Sequence, residues 1–139
     1  MKNGKVLAVV PVYNEADKIV DTIEGLKKID LIDEILIVND GSIDNTVEVV
    51  NKLDVSFINL AKNQGKGFAM KKAIKEKEYD YIAFVDGDLE SSSVEVEKLI
   101  YPVVLGEVDF TIAKFPTRLS NTHTKGGFGL VKRLLTLFI

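Results

Sequence analysis

These 139 residues predict an α/β domain with a mainly parallel sheet flanked by helices. Two observations carry that prediction. Short apolar, β-rich runs alternate along the chain with segments whose apolar residues recur at helical spacing. The runs are also continuously apolar, as strands buried on both faces are, and the helical segments between them supply the crossovers that parallel strands need.

The elements follow in order. KVLAVV is strand one, and the helix after it carries Ile19, Ile23, Leu26 and Ile29 on one face. EILIVN is strand two; from about Asn45 a helix presents Val47, Val50 and Leu53. VSFINL is strand three, and GKGFAMKKAIKEKE is a lysine-rich helix with Phe68, Ala69 and Ala73 inward. YIAFV is strand four. Ser92 and Glu95 have the spacing of a capping box for the next helix, which Pro102 should kink or end. DFTIA is a fifth strand, TRLSNTHTKGG a loop, and FGLVKRLLTLFI a closing amphipathic helix.

Composition narrows the function. Hydrophobic residues at 46% and charged residues at 28% describe an ordinary globular chain. With no cysteine, disulfides and thiolate metal sites are excluded, and a reducing cytoplasm is the fitting compartment. A single histidine, His123, excludes a two-histidine metal site within one chain and reads as a loop residue. No apolar run approaches the ~20 residues that span a bilayer. The net charge of −3 is unevenly spread: residues 1–109 hold 13 Lys/Arg against all 21 Asp/Glu, a balance of −8. Residues 110–139 hold five cations (Lys114, Arg118, Lys125, Lys132, Arg133) and no carboxylate. A basic closing segment on an acidic body suits an anionic partner, a phosphate or a membrane surface, and equally an ordinary solvated face.

The polar clusters fall where parallel sheets bind ligands, at the carboxyl ends of strands. Strand one ends in Pro11-Val12-Tyr13-Asn14-Glu15, strand two in Asn39-Asp40-Gly41-Ser42, and strand four in Asp86-Gly87-Asp88. So many acids on one edge repel one another, and a cation or donor-rich ligand between them relieves that. In VDGDLE, Asp86 and Asp88 at i and i+2 can turn toward one point, and Glu90 extends the spacing as a third oxygen ligand for Mg²⁺ or Mn²⁺. An EF-hand is excluded, because Ser91 stands where that loop requires glycine and a strand precedes it. Asp40 is available for a base or ribose contact. NQGKGFAM lacks the spacing of a phosphate loop, but it places Lys66 at a helix start, where a nucleotide or phosphate fits.

Taken in order, VVPVYNEA, LIVNDGSIDNT, NQGKGFAMKKA and YIAFVDGDLE resemble the family 2 glycosyltransferases of the GT-A fold, and GEVDFTIAKF resembles the strand after their metal motif. The resemblance runs to about residue 115. GGFGLVKRLLTLFI is more weakly similar to a helix of the branch that glycosylates polyprenyl or dolichyl phosphate.

The resemblance implies a nucleotide-sugar- and metal-binding domain over residues 1–115. Residues 116–139 would be a basic loop and amphipathic helix that begin an acceptor-side segment, with the acceptor-binding half itself lacking. It implies that Pro11, Tyr13 and Glu15 line the nucleoside pocket and that Asp40 touches base or ribose. Lys66 would stand near the base, Asp86 near ribose and metal, and Asp88 on the metal. Glu90 takes the place of a glutamine ligand of that branch, and Lys114 and Arg118 its phosphate-binding cations.

The implied reaction is metal-dependent transfer of a sugar from a nucleotide-diphosphate donor, with inversion. No Asp or Glu follows Asp109 to act as a base, so either these residues are part of a longer chain or the chemistry needs none. A phosphomonoester acceptor needs none, its second pKa lying near ~6. A polyprenyl phosphate would fit, and would bring peripheral contact with the inner face of the membrane. A homo-oligomer is compatible with this reading, and no nucleic-acid partner is expected. The rival readings are a nucleotide-sugar-binding module without transferase activity, and a sugar-nucleotide pyrophosphorylase, whose glycine-rich loop after strand one VVPVYNEA lacks.

Overall fold

The computed structural model describes residues 2–114 and 136–138. The elements are β1 (Val6–Val12), α1 (Ile19–Lys27), β2 (Glu34–Asp40), α2 (Thr46–Val50), β3 (Ser56–Leu60), α3 (Lys66–Glu76) and β4 (Tyr81–Phe84). A 3₁₀ helix over Glu90–Val96 then leads into α4 (Glu97–Val104), followed by β5 (Thr111–Ile112) and β6 (Thr136–Phe138). They form one six-stranded sheet in the order β3-β2-β1-β4-β6-β5. β1 pairs in parallel with β2 and β4, and β2 with β3, whereas β6 runs antiparallel to β4 and β5. The α/β class and its mainly parallel sheet are as the sequence predicts.

Strand alternation separates two apolar layers. Val6, Ala8, Val10 and Val12 of β1, with Ile35 and Ile37 of β2, pack against α1, α2 and α4. Leu7 and Val9, with Leu36 and Val38, face α3 through Ala69 and Ala73. Both faces of the two strands are therefore buried, which is why their sequences read as continuous apolar runs. Phe68 departs from expectation: it is 42% exposed while Ala69 and Ala73 are fully buried. The small pair at i and i+4 lets α3 approach the sheet, and Phe68, one position earlier, is rotated away from that contact.

The α4 region also differs. No side chain caps α4; Ser92 Oγ donates to the Leu89 carbonyl within the 3₁₀ segment. Pro102 sits inside α4, which runs two residues further. Its true stop is Gly106 at φ +74°, where Gly106 N–H bonds Val103 O and Glu107 N–H bonds Pro102 O, the paired bonds of a Schellman ending.

The closing segment is corrected in part. Residues 136–138 form a strand and not the end of a helix, with Ile82 opposite Phe138 and Phe84 opposite Thr136. The open edge of β4 offers unpaired backbone groups, and satisfying them outweighs a helical spacing of leucines. The rest of the expected helix and loop, including Arg118 and His123, lies outside the described residues. No helix among the described residues is long and apolar enough to cross a membrane.

Candidate functional site

The strand order places β2 on one side of β1 and β4 on the other, so the chain reverses its direction of winding at β1. Such a switch point leaves a crevice outside the carboxyl ends of the two central strands. Pro11 helps to open it. Val9 O accepts from Val85 N–H on the β4 side, and Pro11, two residues on, points its donor-less nitrogen the same way, where the pairing with β4 has ended. The two chains diverge there around a cleft of about 600 Å³.

Pro11, Tyr13, Glu15, Asp40, Lys66, Asp86 and Asp88 all line this cleft. They come from the carboxyl ends of β1 and β2, from the loops after β1 and β4, and from the start of α3. The structure thus brings together every residue that the sequence assigned to the nucleotide, and two of the three assigned to the metal.

Glu90 does not join them. It is exposed, outside the cleft lining, and begins the 3₁₀ helix at φ +52°. The i, i+2, i+4 spacing would aim three acids alike only if the chain stayed extended. Instead Thr22 Oγ1 of α1, fully buried, accepts from Glu90 N–H at 2.8 Å and donates to Gly87 O at 2.6 Å, bending the loop back over α1. Lys114 is exposed and also outside the lining.

Each acid in the cleft has a distinct setting. Asp40 is buried, and its two oxygens accept the backbone N–H of Gln64 (2.8 Å) and Gly65 (2.9 Å), which fixes the turn that delivers Lys66. Lys66 Nζ forms an ion pair with the buried Asp86. Glu15 Oε2 is buried with no hydrogen-bond partner among the described residues. Burial, reinforced by the charges of Asp88 and Asp86, pushes the Glu15 carboxyl up to about 7. A Cβ on Gly87 would lie 2.2 Å from Glu15 Oε2 and 2.9 Å from Val12 Cγ1, so a larger residue there would push the Glu15 carboxyl from its place.

Other positioning residues have no signature in the sequence. Asn14, at φ +51°, clasps the loop after β2: its Oδ1 accepts from Ile43 N–H and Asp44 N–H, and its own N–H donates to Ser42 Oγ. Glu15 N–H donates to Thr46 Oγ1. These bonds fix the backbone at Asn14 and Glu15 and with it Glu15's place in the wall. Asparagine tolerates the left-handed conformation better than most residues, so the clasp needs little strain.

Hard oxygen donors suit Mg²⁺ or Mn²⁺. Among the described residues no three acidic or histidine side chains form a group that could hold a metal by themselves. Asp86 and Asp88 therefore offer a two-carboxylate half-site, which fits a cation completed by phosphate oxygens and water.

The Glycosyl transferase family 2 profile matches residues 7–130, most of the chain. The chain belongs to that family. Relatives include the poly-β-1,6-N-acetyl-D-glucosamine synthases of Staphylococcus aureus strain MSSA476, 41% identical over 86 residues, and of Staphylococcus epidermidis, 36% identical over 81. Each match covers 55% of this chain and 20% of the relative, so the chain spans only a fraction of their length. Glucosyl-3-phosphoglycerate synthase from Mycobacterium tuberculosis, solved with uridine diphosphate, is similar in fold at a TM-score of 0.72 and 23% identity, over 82% of this chain and 45% of that one. The mannosyltransferase of Pyrobaculum calidifontis, solved with GDP-mannose and Mn²⁺, gives a TM-score of 0.58 at 23% identity, over 62% and 28%. The family 2 chain thus has the GT-A fold of these neighbours.

Proposed function

We propose that this domain is the donor-binding part of an inverting glycosyltransferase, holding a nucleotide-diphosphate sugar and a divalent cation in the cleft outside β1 and β4. The observation that supports it most is the convergence there of Glu15, Asp86 and Asp88 with Lys66, at the switch point of the sheet. Tyr13, Pro11 and Asp40 form the nucleoside side of the cleft. Asp86 and Asp88 are the residues that would hold Mg²⁺ or Mn²⁺, and their charge, with that of Glu15, is what a cation would offset. When bound, the ion supplies Lewis-acid stabilisation of the diphosphate leaving group.

In the reaction, the bond between the anomeric carbon and the diphosphate oxygen breaks. The acceptor oxygen bonds that carbon from the opposite face, which inverts it, and the nucleoside diphosphate departs. We favour a phosphate-bearing acceptor, a polyprenyl phosphate being the specific candidate, because residues 110–139 carry five cations that suit an anionic partner. An ionised phosphate oxygen needs no general base. That acceptor would bring the domain to the cytoplasmic face of a membrane.

Incubating the chain with UDP- or GDP-sugars, Mn²⁺ and a panel of acceptors tests this. The panel would hold a polyprenyl phosphate, 3-phosphoglycerate and an N-acetylglucosamine oligosaccharide. Acceptor-dependent release of nucleoside diphosphate is expected, fastest with the polyprenyl phosphate. Release only with the oligosaccharide would overturn the phosphate acceptor. Binding without release for every acceptor would make this chain a nucleotide-sugar-binding module.

A further inference from the structure

The ion pair between Lys66 and Asp86 joins a residue proposed for the nucleotide to one proposed for the metal. Lys66 is the first residue of α3, and the turn before it is fixed by Asp40. Its side chain is 48% exposed, whereas that of Asp86 is only 8% exposed, so the lysine has open solvent to move into and the carboxylate does not. The lysine places a single positive charge among Glu15, Asp86 and Asp88, where the proposed divalent cation would also lie. An ammonium and a divalent cation repel at short range and compete for the same carboxylate. A diphosphate, by contrast, offers the ammonium a new anionic partner.

We infer that Lys66 is an exchangeable cation that guards the metal site, pairing with Asp86 until donor and metal bind and then moving to the diphosphate. This rests on the metal reading above and adds an order to it. Metal alone must displace the lysine with no new partner to offer it, whereas a diphosphate bound with the metal takes the lysine up. The two ligands then favour each other's binding, and by linkage the factor is the same in both directions. A permanently paired lysine would instead weaken both ligands' coupling.

Calorimetric titration with Mn²⁺ alone, with UDP or GDP alone, and with both together tests the exchange. Lys66→Met keeps the aliphatic stem and removes the charge. It should bind Mn²⁺ alone about ten-fold more tightly than the native chain, a coupling of ordinary allosteric size. It should also bind metal-free nucleotide more weakly and lose most of the mutual enhancement. Lys66→Arg should stay near the native values. Lys18→Met removes another cation from the same cleft and should change Mn²⁺ affinity far less, because the ion pair with Asp86 is made by Lys66.

Thermal melting of each variant confirms that it folds, and Lys66→Gln serves if the methionine variant does not. Equal tightening in Lys18→Met would reduce the effect to general charge and overturn the exchange. Unchanged Mn²⁺ affinity in Lys66→Met, with the native chain still binding nucleotide and metal together, would overturn it while leaving the metal site intact. A native chain that binds no metal even with nucleotide would overturn both.

Discussion

The two ends of the sheet hold their acids in different electrostatic settings. At the amino edge, Asp33 accepts the Val6 N–H and pairs with Lys2, while Glu34 is held by Lys5, Lys77 and Ser56. Burial would push the Glu34 carboxyl up, but those three partners outweigh it and hold it at about 2. At the carboxyl edge, burial and two neighbouring carboxylates push Glu15 to about 7. Each edge has a cleft, of about 510 Å³ beside Glu34 and about 600 Å³ beside Glu15, so size does not distinguish them. What differs is the partnering of the most perturbed acid: Glu34 has three partners, whereas Glu15 Oε2 has none among the described residues. A partnered carboxylate stabilises the fold, and one lacking partners is where a ligand has something to gain.

Opposite signs on mutation would sharpen that contrast. Glu34→Gln should destabilise the domain at pH 7 by roughly 1–2 kcal/mol, a figure reduced for the solvent-screened lysines. A folded pKa below the unfolded one gives stability that is present above about pH 4.5 and lost as pH falls toward 2. Urea denaturation at pH 7 and pH 3 should therefore show the penalty shrinking in acid. An equal penalty at both pH values would mean that Glu34 acts through packing.

Glu15→Gln should do the reverse by a smaller amount, stabilising the empty domain by roughly 1 kcal/mol at pH 8. Its folded pKa lies above the unfolded one, so the native carboxyl holds its proton between about 4.5 and 7 and stability falls as pH rises through that window. The gain should vanish near pH 4. A loss of stability at pH 8 would show Glu15 to be satisfied and break the comparison.

How much of this was legible in the sequence depends on whether the signal was local. β1 to β4 and α1 to α3 were, because burial on both faces leaves apolar runs and helical spacing leaves periodicity. Seven cleft residues were legible as well, six because they sit at strand ends and Lys66 because it starts a helix. Thr22 and Asn14 were not: their roles are hydrogen bonds to residues 65 and 29 positions away, and nothing near them in the chain announces those partners. Glu90 misled because spacing was extrapolated through a turn. Residues 136–138 misled because a short apolar run fits strand and helix alike, and the edge of β4 decides between them.

The central claim is that the acids of the carboxyl edge await a cation and a diphosphate. Its most direct test is binding of UDP and GDP to the native chain and to Asp88→Asn, with and without Mn²⁺, measured by calorimetry alongside thermal melting. The account predicts that Mn²⁺ tightens nucleotide binding by the native chain. It also predicts that Asp88→Asn loses that tightening, by 10-fold or more on the order of a typical coupling energy, while melting as the native chain does. Nucleotide affinity indifferent to Mn²⁺ in the native chain, or equally metal-dependent in Asp88→Asn, would contradict it.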